Sequence, residues 1–180
     1  FYRDNELTAT KLMENDFAYE TDFTLCDEDL KADRLFLRFE GIDTLADVYL
    51  NGKHLGSANN MNRVWEYDIT AEVMDNPTDT IYHLKVVLHS PTRFIREENE
   101  KCPVGGSSDA MPGFPHIRKA ACMFGWDWGP RLPDAGLFRP VSIQAVKTAR
   151  IAQVYCTQQH QITAKTTHGN TVSRVQLTAD

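Results

Sequence analysis

The 180-residue sequence predicts an all-β fold, a β-sandwich or jelly roll, and three observations carry that reading. Apolar and polar residues alternate with a period of two through most of its first half. Turn signals separate the alternating runs at short intervals, and only one segment reads as a helix. After a long irregular stretch the alternation resumes, which predicts the start of a second β-domain.

The first strand is "FAYETDFTL", where Phe17, Tyr19, Thr21, Phe23 and Leu25 alternate with Ala18, Glu20, Asp22 and Thr24, so one face should be buried and the other wet. In "RLFLRFEGI", Leu35, Leu37 and Phe39 are set against Arg34 and Arg38. "LADVYLNGKHLG" carries Asn51-Gly52 between two apolar stretches, and this pair accepts the positive φ of a type I′ turn, so it predicts a hairpin. "WEYDIT" reads as a short strand. "DTIYHLKVVLHSP" sets Tyr82, Leu84, Val86 and Leu88 against His83, Lys85 and His89, and Pro91 ends it. "TRFIREENEK" then reads as a short charged helix.

From Cys102 to Pro140 the prolines and glycines crowd together, and regular structure cannot run far. A loop of this length is usually functional or disordered. Disorder is a poor fit, because Phe114, Met123, Phe124, Trp126, Trp128 and Phe138 supply too much apolar surface to stay solvated. A strand at Val141–Val146 should close the first sandwich. "ARIAQVYCT", "QITAKTT" and "TVSRVQLT" read as opening strands of the next domain, which places the boundary near Thr148, with residues 1–148 in the first domain and 149–180 in a truncated second one.

Composition narrows the function. A net charge of -6 with unclustered Lys and Arg argues against nucleic acid or an anionic membrane as partner, and a neutral ligand suits it better. No apolar run reaches the roughly 18 to 20 residues of a membrane-spanning helix. The sequence opens without an initiator Met or a secretory leader, so an excised piece of a longer protein is expected. Cys26, Cys102, Cys122 and Cys156 match neither a zinc pattern nor a disulfide framework and should be buried free thiols. With no N-x-S/T acceptor present, a cytoplasmic location is expected. G-x-S-x-G and P-loop motifs are absent, and none of the six histidines forms an i, i+4 helical pair for zinc.

That leaves "ACMFGWDWGPRLPDAG", residues 121–136. In one reading Trp126 and Trp128 are hydrophobic plugs and Asp127 is a turn residue bonded to nearby backbone N–H groups. In the other, the indole faces pack on the C–H patches of a sugar while Asp127 and the guanidinium groups of Arg118 and Arg131 meet its hydroxyls. Gly125 and Gly129 permit sharp turns on either side in both readings, and Pro130 and Pro133 stiffen the exit.

"RKAACMFGWDWGPRLPDAGLFRPV" closely resembles a loop of the β-mannosidases of glycoside hydrolase family 2. "FYRDNE", "FAYETDF" and "LRFEGIDTLADVYLNGKHLGSANNMNRVWEYDIT" resemble the upstream part of the same domain, so the resemblance covers nearly the whole chain. The Asn-Gly hairpin region is shared with the family's β-galactosidases and β-glucuronidases, whereas G-W-D-W-G-P points to mannose. The resemblance implies a galactose-binding-like jelly roll lacking its first strand, then the opening strands of an immunoglobulin-like sandwich. A TIM barrel carrying two catalytic glutamates would follow, and at about 250 residues it lies outside this chain.

The implied enzyme is an exo-acting, retaining β-mannosidase that removes terminal non-reducing β-D-mannose without a cofactor. Its substrate is a mannose-containing oligosaccharide, and the fragment alone should be inactive. Trp126, Asp127, Trp128 and Arg118 are the implied substrate-binding residues, with Trp128 and Arg118 equally able to anchor the loop, the arginines through partners such as Asp134. The alternatives are another family 2 glycosidase, a lectin-like sandwich without chemistry, and a purely structural sandwich.

Overall fold

The computed structural model describes residues 5–75, 81–165 and 171–179, in two units that divide between Lys147 and Thr148. Residues 1–4 of "FYRDNE", Asp79-Thr80, the end of "QITAKTT" and His168 lie outside the described residues.

The first unit is an all-β sandwich of antiparallel strands. One sheet is ordered β1 (Phe17–Phe23), β7 (Tyr82–Leu88), β4 (Leu45–Leu50), β5 (Lys53–Asn59). The other is ordered β6 (Trp65–Asp68), β2 (Arg34–Phe39), β9 (Val141–Val146), and a two-residue pair joins β3 (Ile42–Asp43) to β8 (Gly136–Leu137). The predicted alternation becomes the core. Leu35, Leu37 and Phe39 of β2, Ala46, Val48 and Leu50 of β4, and Tyr82, Leu84, Val86 and Leu88 of β7 are all buried between the sheets. Asn51 and Gly52 sit at φ of 49° and 81°, as a type I′ turn requires.

β1 departs from expectation. Its alternation predicts a buried face, yet every residue except Phe23 is exposed. The strand pairs only with β7 among the described strands. Tyr19 faces an apolar groove of about 510 Å³ that also touches Val141 and Ile143 of β9, so no closely packed layer among the described residues covers that end. Phe23 is drawn in by stacking on Tyr82, ring centroids 5.6 Å apart.

The charged segment is helix α3 (Pro91–Lys101), and local chemistry explains both ends. Ser90 caps it by accepting from the Arg93 N–H at 3.1 Å, and Pro91 occupies the first turn, where a missing N–H costs nothing. Two helices were not foreseen: α1 (Asn5–Leu12) and the single-turn α2 (Thr70–Met74). α1 buries no residue, so it leaves no apolar periodicity to read.

All four cysteines are exposed, against the expectation of buried thiols. They sit where elements begin or end: Cys26 beyond β1, Cys102 at the C-cap of α3, Cys122 in a 3-10 turn and Cys156 at the first position of a strand in the second unit. In the second unit β10 (Cys156–Lys165) pairs antiparallel with β11 (Thr171–Ala179). The expected strand through "ARIAQVY" is absent: Ile151, Val154 and Tyr155 are exposed, and no ladder partner fixes them among the described residues.

Carboxylates knit the polar surfaces together. Asp47 on β4 accepts hydrogen bonds from Ser57 and from the His89 ring at 2.8 Å, with His54 at 3.3 Å. Burial works to raise its pKa, but these hydrogen bonds prevail and hold the carboxyl below its ordinary value of 3.8. Asp16 behaves likewise: burial opposes, while the Ser90 N–H and Arg93 lower it. A carboxyl with a depressed folded-state pKa contributes stability that is present above the unfolded value and lost as pH falls through the folded one. The thermal midpoint, followed by circular dichroism at constant ionic strength, is therefore expected to hold from pH 7 to about 5 and to drop towards pH 3. Asp47→Asn should flatten that drop, and a midpoint indifferent to pH down to 3 would refute the assignment.

Candidate functional site

The long stretch between α3 and β9 is ordered by a small core of its own. Phe124 is fully buried and packs with Ile95 of α3 and Ile117, against Phe94, Met111 and Phe114. Gly113 makes the close approach possible: at φ 84° a side chain there would strike the Ile95 carbonyl. Backbone hydrogen bonds tie the layers, from Met111 N–H to the Phe124 carbonyl and from Leu132 N–H to the Met123 carbonyl, both 2.9 Å.

Above this base the chain makes a tight two-residue hairpin. Trp126 and Gly129 exchange both backbone hydrogen bonds at 3.2 Å, which leaves Asp127 and Trp128 at the tip. Gly125 enters the turn at φ 112°, where a side chain would meet Arg131 and the Asp109 carbonyl. Gly129, expected to need the same freedom, has open space around its Cα and no positive φ. The bridge geometry with Trp126 suits an ordinary backbone.

The tryptophans are not plugs. Trp126 is 45% and Trp128 74% exposed, and Phe124 fills the apolar base that they were expected to fill. Nor is Asp127 a local turn bonder. Its carboxylate is exposed and has no hydrogen-bond partner among the described residues. Trp126, Asp127 and Trp128, with Glu6, Asp109 and Arg131, line an open polar recess of about 440 Å³. Flat aromatic faces beside an unengaged carboxylate can pack on the C–H faces of a neutral polyol and accept from its hydroxyls.

The two arginines part company. Arg131 lines the recess, but its Nε donates to the Asp109 carbonyl at 3.0 Å and not to Asp134. Arg118 is exposed away from the recess lining, in a parallel bridge with Asn60. Two supports were given no role by the sequence reading. Helix α1 grips Arg131 from both sides: Glu6 accepts from its N–H at 2.9 Å and Thr10 donates to its carbonyl at 3.1 Å. Lys119 is buried against Asp43, with its Nζ also 2.7 Å from the Asp134 carbonyl. Burial pushes the Lys119 ammonium below its ordinary range, and Asp43 opposes the shift.

Comparison with known proteins settles the family. The model of the family described as "Glycosyl hydrolase 2 galactose-binding domain-like" matches residues 1–139. The chain belongs to this family. Among relatives of the glycosyl hydrolase 2 domain, a β-mannosidase from Capra hircus is 32% identical over 153 residues, which are 81% of this chain and 17% of that protein. One from Mus musculus is 29% identical over 161 residues, 84% of this chain and 18% of that protein. The crystal structure of a β-D-mannosidase from Dictyoglomus thermophilum superposes with a TM-score of 0.78 at 32% identity, over 87% of this chain and 19% of that one. A β-glucuronidase from Bifidobacterium dentium shares the fold, with a TM-score of 0.57 at 21% identity, over 94% of this chain and 28% of that one. This glycosyl hydrolase 2 domain thus spans less than a fifth of the β-mannosidases that it matches.

Proposed function

We propose that the chain is the N-terminal part of an exo-acting, retaining β-mannosidase and that its Trp126–Trp128 hairpin forms one wall of the pocket for terminal non-reducing mannose. The observation that carries this is the unengaged Asp127 carboxylate between two exposed indoles, held on a base that Phe124 fixes. A wall ordered in advance spares the ligand the entropy of ordering it. Similarity to β-mannosidases across four-fifths of the chain supports mannose as the sugar.

Asp127 accepts from the sugar hydroxyls in this reading, and Trp126 and Trp128 pack on its C–H faces. The catalytic carboxylates come from a TIM barrel elsewhere in the complete polypeptide. A pair about 5 to 5.5 Å apart acts there as nucleophile and as acid/base through a covalent glycosyl intermediate, with no cofactor. Residues 1–148 are the jelly-roll domain in this proposal, and 149–180 open the immunoglobulin-like sandwich. Four free cysteines suit a reducing compartment, and we place the protein in the cytoplasm.

The complete polypeptide should hydrolyse an aryl β-D-mannoside in preference to the β-galactoside and β-glucuronide, with NMR showing β-mannose as the first product. This chain alone should hydrolyse none of them. Preference for another glycoside by the folded complete polypeptide would reject mannose, and inversion at the anomeric carbon would reject the double displacement.

A further inference from the structure

Lys119 makes none of the sugar contacts proposed above, yet its side chain is wholly sealed from solvent. An ammonium without water is costly unless it is both paired and hydrogen-bonded. Here the Asp43 carboxylate of β3 and the Asp134 main-chain carbonyl meet that need. Their places along the chain matter. Lys119 stands before the hairpin and Asp134 after it, so one ammonium draws the entry and the exit of the loop onto the same strand of the sandwich. The backbone on either side of Lys119 is pinned as well: Met61 N–H donates to the Arg118 carbonyl at 3.1 Å, and Ala120 N–H lies 3.0 Å from Met61 Sδ.

We propose that Lys119 is a positioning residue, whose link between Asp43 and Asp134 sets the height and angle of the Trp126–Trp128 hairpin so that the recess is formed before any ligand arrives. The inference rests on reading that hairpin as the sugar-facing wall. Lysine suits the task because one nitrogen carries three donors and can serve a carboxylate and a carbonyl together. A neutral side chain of similar length keeps the volume and loses both ties.

The test uses this chain without sugar. Lys119→Met leaves a buried, unpaired Asp43 and can fail to fold, so Asp43→Asn/Lys119→Met is examined beside it, with the charge removed from both sides. In the double variant, tryptic cleavage after Arg131 under native conditions is expected to speed up at least about tenfold, because cleavage follows the population of the locally open form. Cleavage after Lys53, in the distant β4–β5 hairpin, should stay unchanged, and amide exchange should accelerate at Trp126 and Gly129. An equal rise at both cleavage sites, no rise at Arg131, or failure of both variants to fold would make the pair a matter of general stability and overturn the proposal. No readout involves mannose. A hairpin that loosens as expected, in a protein whose complete form ignores β-mannosides, would sink the functional reading and leave the positioning role standing.

Discussion

Phe124→Ala is expected to lower the unfolding free energy of the first unit by about 3 to 5 kcal/mol, the range for deleting a fully buried phenylalanine side chain. Phe124 has no exposed surface, and its ring lies 6.3 Å from that of Phe114, above Ile95 and Ile117. Alanine would leave a void that the neighbours cannot close. The α3 helix below is fixed by its Ser90 cap, and Gly113 already touches the Ile95 carbonyl. The thermal midpoint should fall by roughly 10 °C. The loss should be uneven. Amides at Met111 and Leu132, which bond within the loop's layers, should lose exchange protection before those of β4 and β7. A midpoint within about 2 °C of the unmodified protein would show that the loop is held by something other than this small core.

The same residue shows how far the sequence could be read. Period-two alternation identified β2, β4 and β7 because both sheets bury one face of each, and the Asn51-Gly52 turn was legible from its dihedral needs alone. β1 carries an equally clear alternation and stays exposed, since burial depends on what lies opposite and not on the strand's own pattern. Phe124, Trp126 and Trp128 sit within five positions, and no local rule says which of them fills the base; the structure assigns that place to Phe124 alone. Lys119 and Asp43 lie 76 positions apart, and α1 meets the loop through polar contacts with Arg131. Such pairings arise from the fold and have no signature in spacing or periodicity.

Asp127→Ala should leave the fold intact and reduce kcat/KM of the complete polypeptide for an aryl β-mannoside by roughly 1.5 to 3 kcal/mol, a fall of about 10- to 150-fold. The structural half of this expectation follows from the hairpin. The Trp126–Gly129 backbone bonds form without the Asp127 side chain, and the carboxylate touches no partner among the described residues whose loss could destabilise the turn. The kinetic half follows from charge. A carboxylate accepting from a sugar hydroxyl makes a charge-assisted hydrogen bond, stronger than a neutral amide can offer. Asp127→Asn should therefore recover only part of the loss, while Trp126→Ala, which removes an apolar face, should act chiefly on KM through binding shared by ground state and transition state. Unchanged kinetics in a folded Asp127→Ala variant would remove the hairpin from the mannose pocket. A parallel collapse of the thermal midpoint would instead return Asp127 to a structural role that its exposed, unpartnered carboxylate does not suggest.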